Sequence, residues 1–273
     1  MPTILKNLTR ADGLRSDIRI EGDTIVEMGT ISGSGIDCDS LIGLPGFVDP
    51  HTHLREPGFE ASETVLSGSR AAAAGGYTAV CAMANTLPVA DTAEIVEAVL
   101  DAGVAAGYCQ VQPIGAVTNG LAGKQLSEIT QMHQSRANVT MFSDDGICVS
   151  DPALMQDALA KVKAFGGVIA QHAQDPARTE GAQMNEGAVS AELGLTGWPA
   201  VAEESIIARD VLLAEHVGSR VHICHLSTAG SVEIVRWAKA RGSQVTAEVS
   251  GCHVFLMKMA TGMRHLEMQV LAD

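Results

Sequence analysis

The sequence predicts an α/β fold whose larger part is a parallel β-sheet, preceded by a small antiparallel sheet. Two observations support this prediction. From Gly46 onward, apolar runs of four to seven residues alternate with longer Ala-rich segments of helical periodicity. Before that point, polar and apolar residues alternate around a Gly22-Asp23 turn, which is typical of a hairpin with one face in water. We therefore expect a small β-sheet domain over residues 1–44 and an α/β domain over residues 45–273.

The larger domain is predicted to contain seven strands. They are Gly46–His51, Tyr77–Met83, Cys109–Ala116, Val139–Phe142, Val168–Gln171, Val221–Leu226 and Val245–Val249. The predicted helices between them include Asp91–Ala105, Pro152–Phe165, Glu203–Ala214 and Ser231–Arg241, and Asp91 with Glu94 matches a D-x-x-E capping box. This alternation indicates either an open doubly wound sheet or a closed eight-stranded barrel, and periodicity alone does not decide between them. The glycine-rich dinucleotide fingerprint of many open sheets is absent, since Cys38 stands where its third glycine would be.

Composition excludes several classes of protein. The 273 residues are 46% hydrophobic and carry a formal net charge of −14, which is typical of a compact globule and unfavourable for nucleic acid or anionic membranes. Aromatic residues are only 3% of the chain, so we expect a core of Ala, Val, Ile, Leu and Met. No apolar run approaches the roughly 20 residues of a membrane helix. The first 20 residues lack the apolar segment of a signal peptide, and the six cysteines are scattered, so we expect buried thiols in a cytoplasmic protein.

The first chemically informative residues are His51 and His53, at the end of the first strand of the larger domain. Side chains two positions apart leave the same face of a strand, so both imidazoles can converge on one point. Such a pair is either a metal site or two ordinary hydrogen-bonded histidines. Taken alone, it does not distinguish these interpretations.

Other predicted strands also end in residues of the types that bind metals. These are Asp144 and Asp145 after the fourth strand, His172 after the fifth and His225 after the sixth. In a (β/α)₈ barrel the carboxyl ends of the strands form one ring, which brings such residues together. Imidazoles and a carboxylate there could hold one or two ions such as Zn²⁺ and leave a position for water. Core histidines would explain one such position but not four.

A family resemblance is carried by several sequence blocks in order. The segment Pro45–Gly58, with its H-x-H-x-R-x-P-G form, resembles the signature of the amidohydrolase superfamily and specifically of bacterial class I dihydroorotases. Further matching blocks are Asn85-Thr86-x-Pro88, Phe142–Gly146, Ala170–His172, Cys224–Thr228 and Thr246–Val249. The resemblance extends to about Val249. It implies a (β/α)₈ TIM-type barrel, with seven of its eight strands present, and a small N-terminal β-sandwich-like sheet.

The resemblance also implies a metal-ligand set. The implied ligands of one or two Zn²⁺ ions are His51, His53, Asp145, His172 and His225. The H-x-H pair would bind the more buried ion and the other two histidines the second. Asp145 rather than Asp144 matches the ligand position, because it stands 27 residues before His172, and Asp144 is expected in a supporting or turn role. The preceding strand has no lysine to be carboxylated, and in class I members the aspartate takes that place.

The implied reaction is the reversible interconversion of dihydroorotate and N-carbamoyl-L-aspartate in pyrimidine biosynthesis. Arg55 is expected on the same strand face as His53, two residues beyond it, where its planar fork could bind a carboxylate. Arg55 and Asn85 match the family residues that hold the substrate carboxylate. Aspartate transcarbamoylase is a common partner in the family, and a homo-oligomer is also expected. Two alternatives stay open: a hydantoinase or allantoinase acting on a related cyclic amide, and a non-catalytic dihydroorotase-like subunit that binds the transcarbamoylase.

The chain departs from the family pattern near its end. The proton-transferring aspartate of the eighth strand lies in a T-D-H-A-P block in the family, and no such block occurs here, so the catalytic residue stays unassigned. The pattern around Ser250–Val254 also differs from the family's T-P-H-H-L. A small sheet with a complete barrel needs about 400 residues. We therefore expect this chain to represent about two thirds of an enzyme, to bind metal, and to turn over poorly alone.

Overall fold

The computed structural model describes residues 2–250 and 269–271, so the segment containing His253 and the last residue, Asp273, lie outside the described residues. Two compact units are present, Met1–Phe47 and Val48–Asp273. The domain assignment 1–44 and 45–273 stays a prediction.

The N-terminal unit is built on one mixed sheet. Its strands are β1 (Thr3–Arg10), β2 (Arg15–Glu21), β3 (Thr24–Gly29), β4 (Ile36–Asp37) and β5 (Ile42–Gly43). Antiparallel pairing joins β1 to β2 and β2 to β3, while β4 and β5 lie parallel to β1. The hairpin at Gly22-Asp23 is confirmed, with Gly22 at a φ of 62°. A second, stacked sheet is not seen within residues 2–47, so the sandwich-like layering is not observed there.

A buried carboxylate on β2 holds β1 and the segment after β3. Asp17 accepts hydrogen bonds from Lys6 Nζ at 2.6 Å and from the backbone amides of Asn7 and Ile31 at 2.9 and 3.0 Å. The Lys6 bond and the two amides lower the pKa of Asp17 to about 2. The Asp17 carboxylate is therefore ionised at neutral pH.

The second unit contains all seven predicted strands. Its strands are β6 (Phe47–Thr52), β7 (Tyr77–Ala82), β8 (Gln110–Pro113), β9 (Met141–Phe142), β10 (Val168–Gln171), β11 (Met184–Asn185), β12 (Gly197–Trp198), β13 (Arg220–Ile223), β14 (Val245–Ser250) and β15 (Gln269–Leu271). Neighbours run in the order β6-β7-β8 and β9-β10-β13-β14, and a parallel bridge between Gly115 and Phe142 links the two groups. The pairs β7–β8, β9–β10, β10–β13 and β13–β14 are parallel. The predicted α/β class with a parallel sheet is therefore confirmed.

Helices follow most of these strands. They are α1 (Val65–Ala74), α2 (Ala93–Ala106), α3 (Ile129–Gln134), α4 (Pro152–Lys163), α5 (Pro176–Thr179), α6 (Ala188–Leu193), α7 (Ala200–Val217) and α8 (Ala229–Ala240). The four predicted helices are present, with ends shifted by a few residues. The capping box at α2 is wrong: Thr92 is the N-cap, and the Asp91 carboxylate instead accepts from the amide of Gly120 at 2.7 Å. A long-range partner has displaced the local one.

The core of this unit lies between sheet and helices and has the predicted aliphatic composition. Ile169, Ile207 and Ile223 are fully buried, and Phe142 is a rare aromatic among them. Close packing of α2 on β8 depends on Gly103, where an added Cβ would lie 2.5 Å from Val111 Cβ. Among the described residues, no helix is long and apolar enough to cross a membrane.

Candidate metal centre

Five predicted ligand residues meet at the carboxyl ends of four parallel strands. His51 lies on β6 and His53 directly follows it, while Asp145 comes three residues after β9. His172 directly follows β10, and His225 comes two residues after β13. Chain segments more than a hundred residues apart thus place their side chains around one point, as expected for strand ends in a parallel sheet.

Asp145 lies at the middle of this group, and its two carboxylate oxygens face different pairs of histidines. Oδ2 lies 3.3 Å from His51 Nε2 and 3.4 Å from His53 Nε2. Oδ1 lies 3.4 Å from His172 Nδ1 and 3.2 Å from His225 Nε2. The arrangement therefore contains two sets of donors that share one carboxylate.

The donor spacing fits tetrahedral coordination of a small divalent ion. Nitrogen and oxygen ligands about 2.0–2.1 Å from a tetrahedral ion lie roughly 3.3 Å from each other. All four distances between imidazole nitrogen and Asp145 oxygen fall between 3.2 and 3.4 Å. Imidazole with carboxylate is a donor set that suits Zn²⁺ and similar borderline ions. The donors on each side of Asp145 therefore suit one ion, although His172 Nδ1 and His225 Nε2 lie only 2.9 Å apart and would have to separate slightly to coordinate it.

The outer ring nitrogens of three histidines are held by oxygen acceptors. His51 Nδ1 lies 2.6 Å from Glu248 Oε1, His53 Nδ1 lies 3.1 Å from Asn85 Oδ1, and His172 Nε2 lies 2.9 Å from Gln174 Oε1. Each of these nitrogens donates its N–H to the oxygen, which leaves a lone pair on the inner nitrogen. Lone pairs that face a carboxylate repel it unless a cation lies between them. This second set of contacts also indicates a metal centre.

Burial and the neighbouring histidines shift the pKa values of the carboxylates in this centre in opposite directions. Burial alone would raise the pKa of Asp145, but the imidazoles of His172, His225 and His51 beside its two oxygens outweigh burial and hold that pKa well below its usual range. Glu248 behaves similarly: burial raises its pKa, whereas His222 and His51 lower it to about 2. Both carboxylates are therefore ionised at neutral pH. Burial raises the pKa of the neighbouring Cys224 thiol to about 12, so that thiol stays protonated.

Asp144 has a different role from its neighbour. Its buried carboxylate accepts from the backbone amides of Val117 and Thr118 at 2.7 and 3.0 Å and from the Thr118 hydroxyl. It therefore fixes the loop after β8 and turns away from the histidines. This geometry agrees with the supporting or turn role expected for Asp144.

The two predicted substrate-binding residues lie on the His51/His53 side. Arg55 lines a cavity of about 720 Å³ together with His51 and His53. Its predicted position on the same strand face as His53 is wrong, because β6 ends at Thr52 and Arg55 has a left-handed φ of 63°. Asn85 is held between His53 and the backbone oxygen of Asp145, with its Nδ2 3.3 Å from that oxygen. Asn85 is thus fixed by contacts with both His53 and Asp145.

Sequence reasoning missed several residues that support the centre. They are Glu248, Gln174, His222, Asp210 and Arg209. Asp210 is fully buried on α7 and accepts from Gln171, the residue before His172, at 2.9 Å. For Glu248 a signal was present, since a charged residue inside an otherwise apolar strand needs a buried partner.

A family model described as dihydro-orotase-like matches residues 40–231. The chain is 67% identical over 250 residues to a dihydroorotase of Leifsonia xyli subsp. xyli, covering 90% of this chain and 57% of that protein. It is 64% identical over 258 residues to a dihydroorotase of Streptomyces coelicolor, covering 93% of this chain and 60% of that protein. The chain thus spans about three fifths of the length of these relatives.

Solved structures with a similar fold include two hydantoinases. An L-hydantoinase (dihydropyrimidinase) from Arthrobacter aurescens superimposes with a TM-score of 0.72 at 21% identity, covering 91% of this chain and 58% of that one. A D-hydantoinase (dihydropyrimidinase) from Thermus sp. gives a TM-score of 0.72 at 26% identity, covering 93% and 58%. The first similarity concerns the fold alone.

Proposed function

Because this chain belongs to the dihydroorotase-like family, we propose that it forms the larger part of a zinc-dependent dihydroorotase. The reaction is the reversible hydrolysis of (S)-dihydroorotate to N-carbamoyl-L-aspartate in de novo pyrimidine biosynthesis. The single observation that carries the proposal is the Asp145 carboxylate, faced by four imidazole nitrogens at 3.2–3.4 Å. A hydrolase of cyclic amides needs such a centre to activate water.

We assign the ligands in two pairs around a shared carboxylate. His51 and His53 would hold one Zn²⁺, His172 and His225 the other, and Asp145 both. Zinc, when bound, lowers the pKa of a coordinated water from 15.7 to about 7 and polarises a carbonyl oxygen. The chain's own contribution is orientation: Glu248, Asn85 and Gln174 hold the outer ring nitrogens so that the inner ones face the centre.

Substrate orientation is assigned to Arg55 and Asn85. The Arg55 guanidinium lines the cavity next to His53 and can present a planar pair of N–H donors to the substrate carboxylate. Asn85 has its side-chain amide beside both His53 and Asp145, at the boundary between substrate and metals. Together they would place the scissile amide near Asp145.

Barrel closure is part of the proposal. Among the described strands, β6 has β7 as its neighbour, and the cavity runs along β6 between it and α1. We place the eighth strand of a (β/α)₈ barrel at this edge and assign the proton-transferring aspartate to it, following the family pattern. The relatives are longer than this chain by enough to supply that strand. The domain division at residues 44/45 belongs to the same assignment.

The cellular setting follows from the proposed chemistry. The substrate is a small molecule, and we place the protein in the cytoplasm, where the free thiols of the five described cysteines are stable. A homo-oligomer and an association with aspartate transcarbamoylase are further parts of the proposal. Nucleic acids and membranes are not proposed partners, given the net charge of −14.

A second candidate is a hydantoinase, favoured by the similar folds of two hydantoinases. Both candidates are tested by assaying zinc-loaded protein with dihydroorotate and with hydantoin, for this chain and for a longer form that continues through the eighth strand. We expect dihydroorotate turnover by the longer form and little by this chain. Hydantoin turnover without dihydroorotate turnover would overturn the substrate assignment. A folded protein with less than one equivalent of zinc would favour the non-catalytic subunit instead.

A further inference from the structure

A buried carboxylate on β14 contacts the metal centre without being one of its five proposed ligands. Glu248 is 1% exposed, its Oε1 lies 2.6 Å from His51 Nδ1, and its Oε2 lies 2.8 Å from His222 Nε2. A buried charge of this kind is costly unless each oxygen is paired, and here both are. An aliphatic residue would fill the same strand position at lower cost, so the charge requires a reason.

The contacts continue beyond Glu248 across the sheet. His222 on β13 is the register partner of Thr246 on β14, and its Nδ1 lies 2.8 Å from the Thr246 hydroxyl. The Glu248 carboxylate accepts an N–H from each histidine, and His222 in turn accepts from Thr246. The chain Thr246–His222–Glu248–His51 therefore fixes which nitrogen of each ring carries the proton.

We propose that Glu248 is a positioning residue that locks His51 in its Nδ1–H tautomer and thereby sets the affinity of the His51/His53 side for metal. The inference rests on the metal centre proposed above and deepens it. His222 and Thr246 hold the carboxylate in place and do not contact the centre. Because Glu248 touches His51 alone among the five ligands, its effect is confined to one of the two ions.

The test compares Glu248→Gln and Glu248→Ala with Thr246→Val in the full chain. Gln at position 248 keeps an oxygen for His51 Nδ1 but loses the charge, and Ala loses both. Thr246→Val removes only the hydroxyl that contacts His222. Zn²⁺ affinities are measured by competition with a chromogenic chelator, and Co²⁺ spectra report each site separately. We expect Glu248→Ala to weaken one site by about 10- to 100-fold, Glu248→Gln by less, and Thr246→Val by a few fold.

Site assignment requires two further backgrounds. In a His53→Ala background, which leaves the His172/His225 side, Glu248→Gln should have no further effect on zinc affinity. In a His172→Ala background, which leaves the His51/His53 side, it should weaken the site that is left. Equal weakening in both backgrounds, or in neither, would overturn the proposal. The proposal would also be overturned if wild type bound three metal ions and the Glu248 variants bound two. Glu248 would then be a metal ligand together with His51 and Cys224.

A measurement on metal-free protein tests the role of Glu248 even if the proposed function is wrong. Nitrogen-15 NMR of the histidine rings in metal-free protein reports which nitrogens of His51 carry a proton. Nδ1 of His51 should be protonated in wild type, and Glu248→Ala should deprotonate that nitrogen partly or fully. If wild type binds no zinc, the proposed function fails while this result still decides the role of Glu248. Matching denaturation curves for the metal-free variants check that each one is folded.

Discussion

The same substitution should have different effects at the adjacent residues Asp144 and Asp145: at Asp144 it should lower stability, and at Asp145 it should remove the response to zinc. Asp144 satisfies two buried backbone amides and a hydroxyl of the loop after β8. An unsatisfied buried donor costs about 1–3 kcal/mol, so the two amides that Asp144→Ala leaves without an acceptor should lower the free energy of unfolding by about 2–6 kcal/mol. Asp144→Asn keeps one acceptor oxygen and should lower it by less. Neither change removes a proposed metal ligand.

Asp145→Asn should instead abolish the response to zinc. A ligand present at a thousand times its dissociation constant stabilises the folded state by about 4 kcal/mol. Chemical denaturation with and without added Zn²⁺ should show this gain for wild type and Asp144→Asn but not for Asp145→Asn. The reasoning is refuted if Asp145→Asn keeps the zinc-dependent gain, or if Asp144→Asn is folded and loses it.

Three further predictions concern substrate, pH and packing. In the longer, active form, Arg55→Ala should raise KM for dihydroorotate about 10- to 100-fold with unchanged zinc content, because a charged hydrogen bond is lost; an unchanged KM would remove Arg55 from substrate binding. Burial raises the pKa of Asp210 from 3.8 to about 6 in the folded protein. The contribution of Asp210 to the free energy of unfolding is therefore fully present below about pH 4 and is lost as the pH rises through 6. Denaturation curves of wild type should therefore lose about 3 kcal/mol more than Asp210→Asn over that interval, and parallel curves would contradict this. Gly103→Ala should destabilise by about 1–3 kcal/mol despite the better helix propensity of Ala, because its Cβ would lie 2.5 Å from Val111 Cβ; a higher midpoint in thermal unfolding would show that α2 can shift.

The local periodicity of the sequence was enough to predict the strands that position the centre. His51 and His53 were found because side chains alternate along a strand and strand ends meet in a parallel sheet. The same rule failed for Arg55, because the strand ends at Thr52 and the backbone then turns left-handed. The alternation of side chains predicts which face a residue points to only where the backbone is an extended strand.

Partners far apart in sequence could not be predicted from local patterns. Glu248 stands 197 residues from His51, and only the folded sheet brings them to 2.6 Å. The capping box at Asp91 was wrong for a related reason, since the amide of Gly120 competes for its carboxylate. The choice of Asp145 over Asp144 depended on the family spacing, because both have the same side chain and differ only in where the turn after β9 directs it.

The most direct test of the central claim is anomalous scattering at the zinc edge from crystals of the zinc-loaded protein. We expect two peaks about 3.5–4 Å apart. One should lie beside Asp145 Oδ2 between His51 and His53, and the other beside Oδ1 between His172 and His225. A single peak, or peaks that leave either Asp145 oxygen without a metal neighbour, would contradict this expectation.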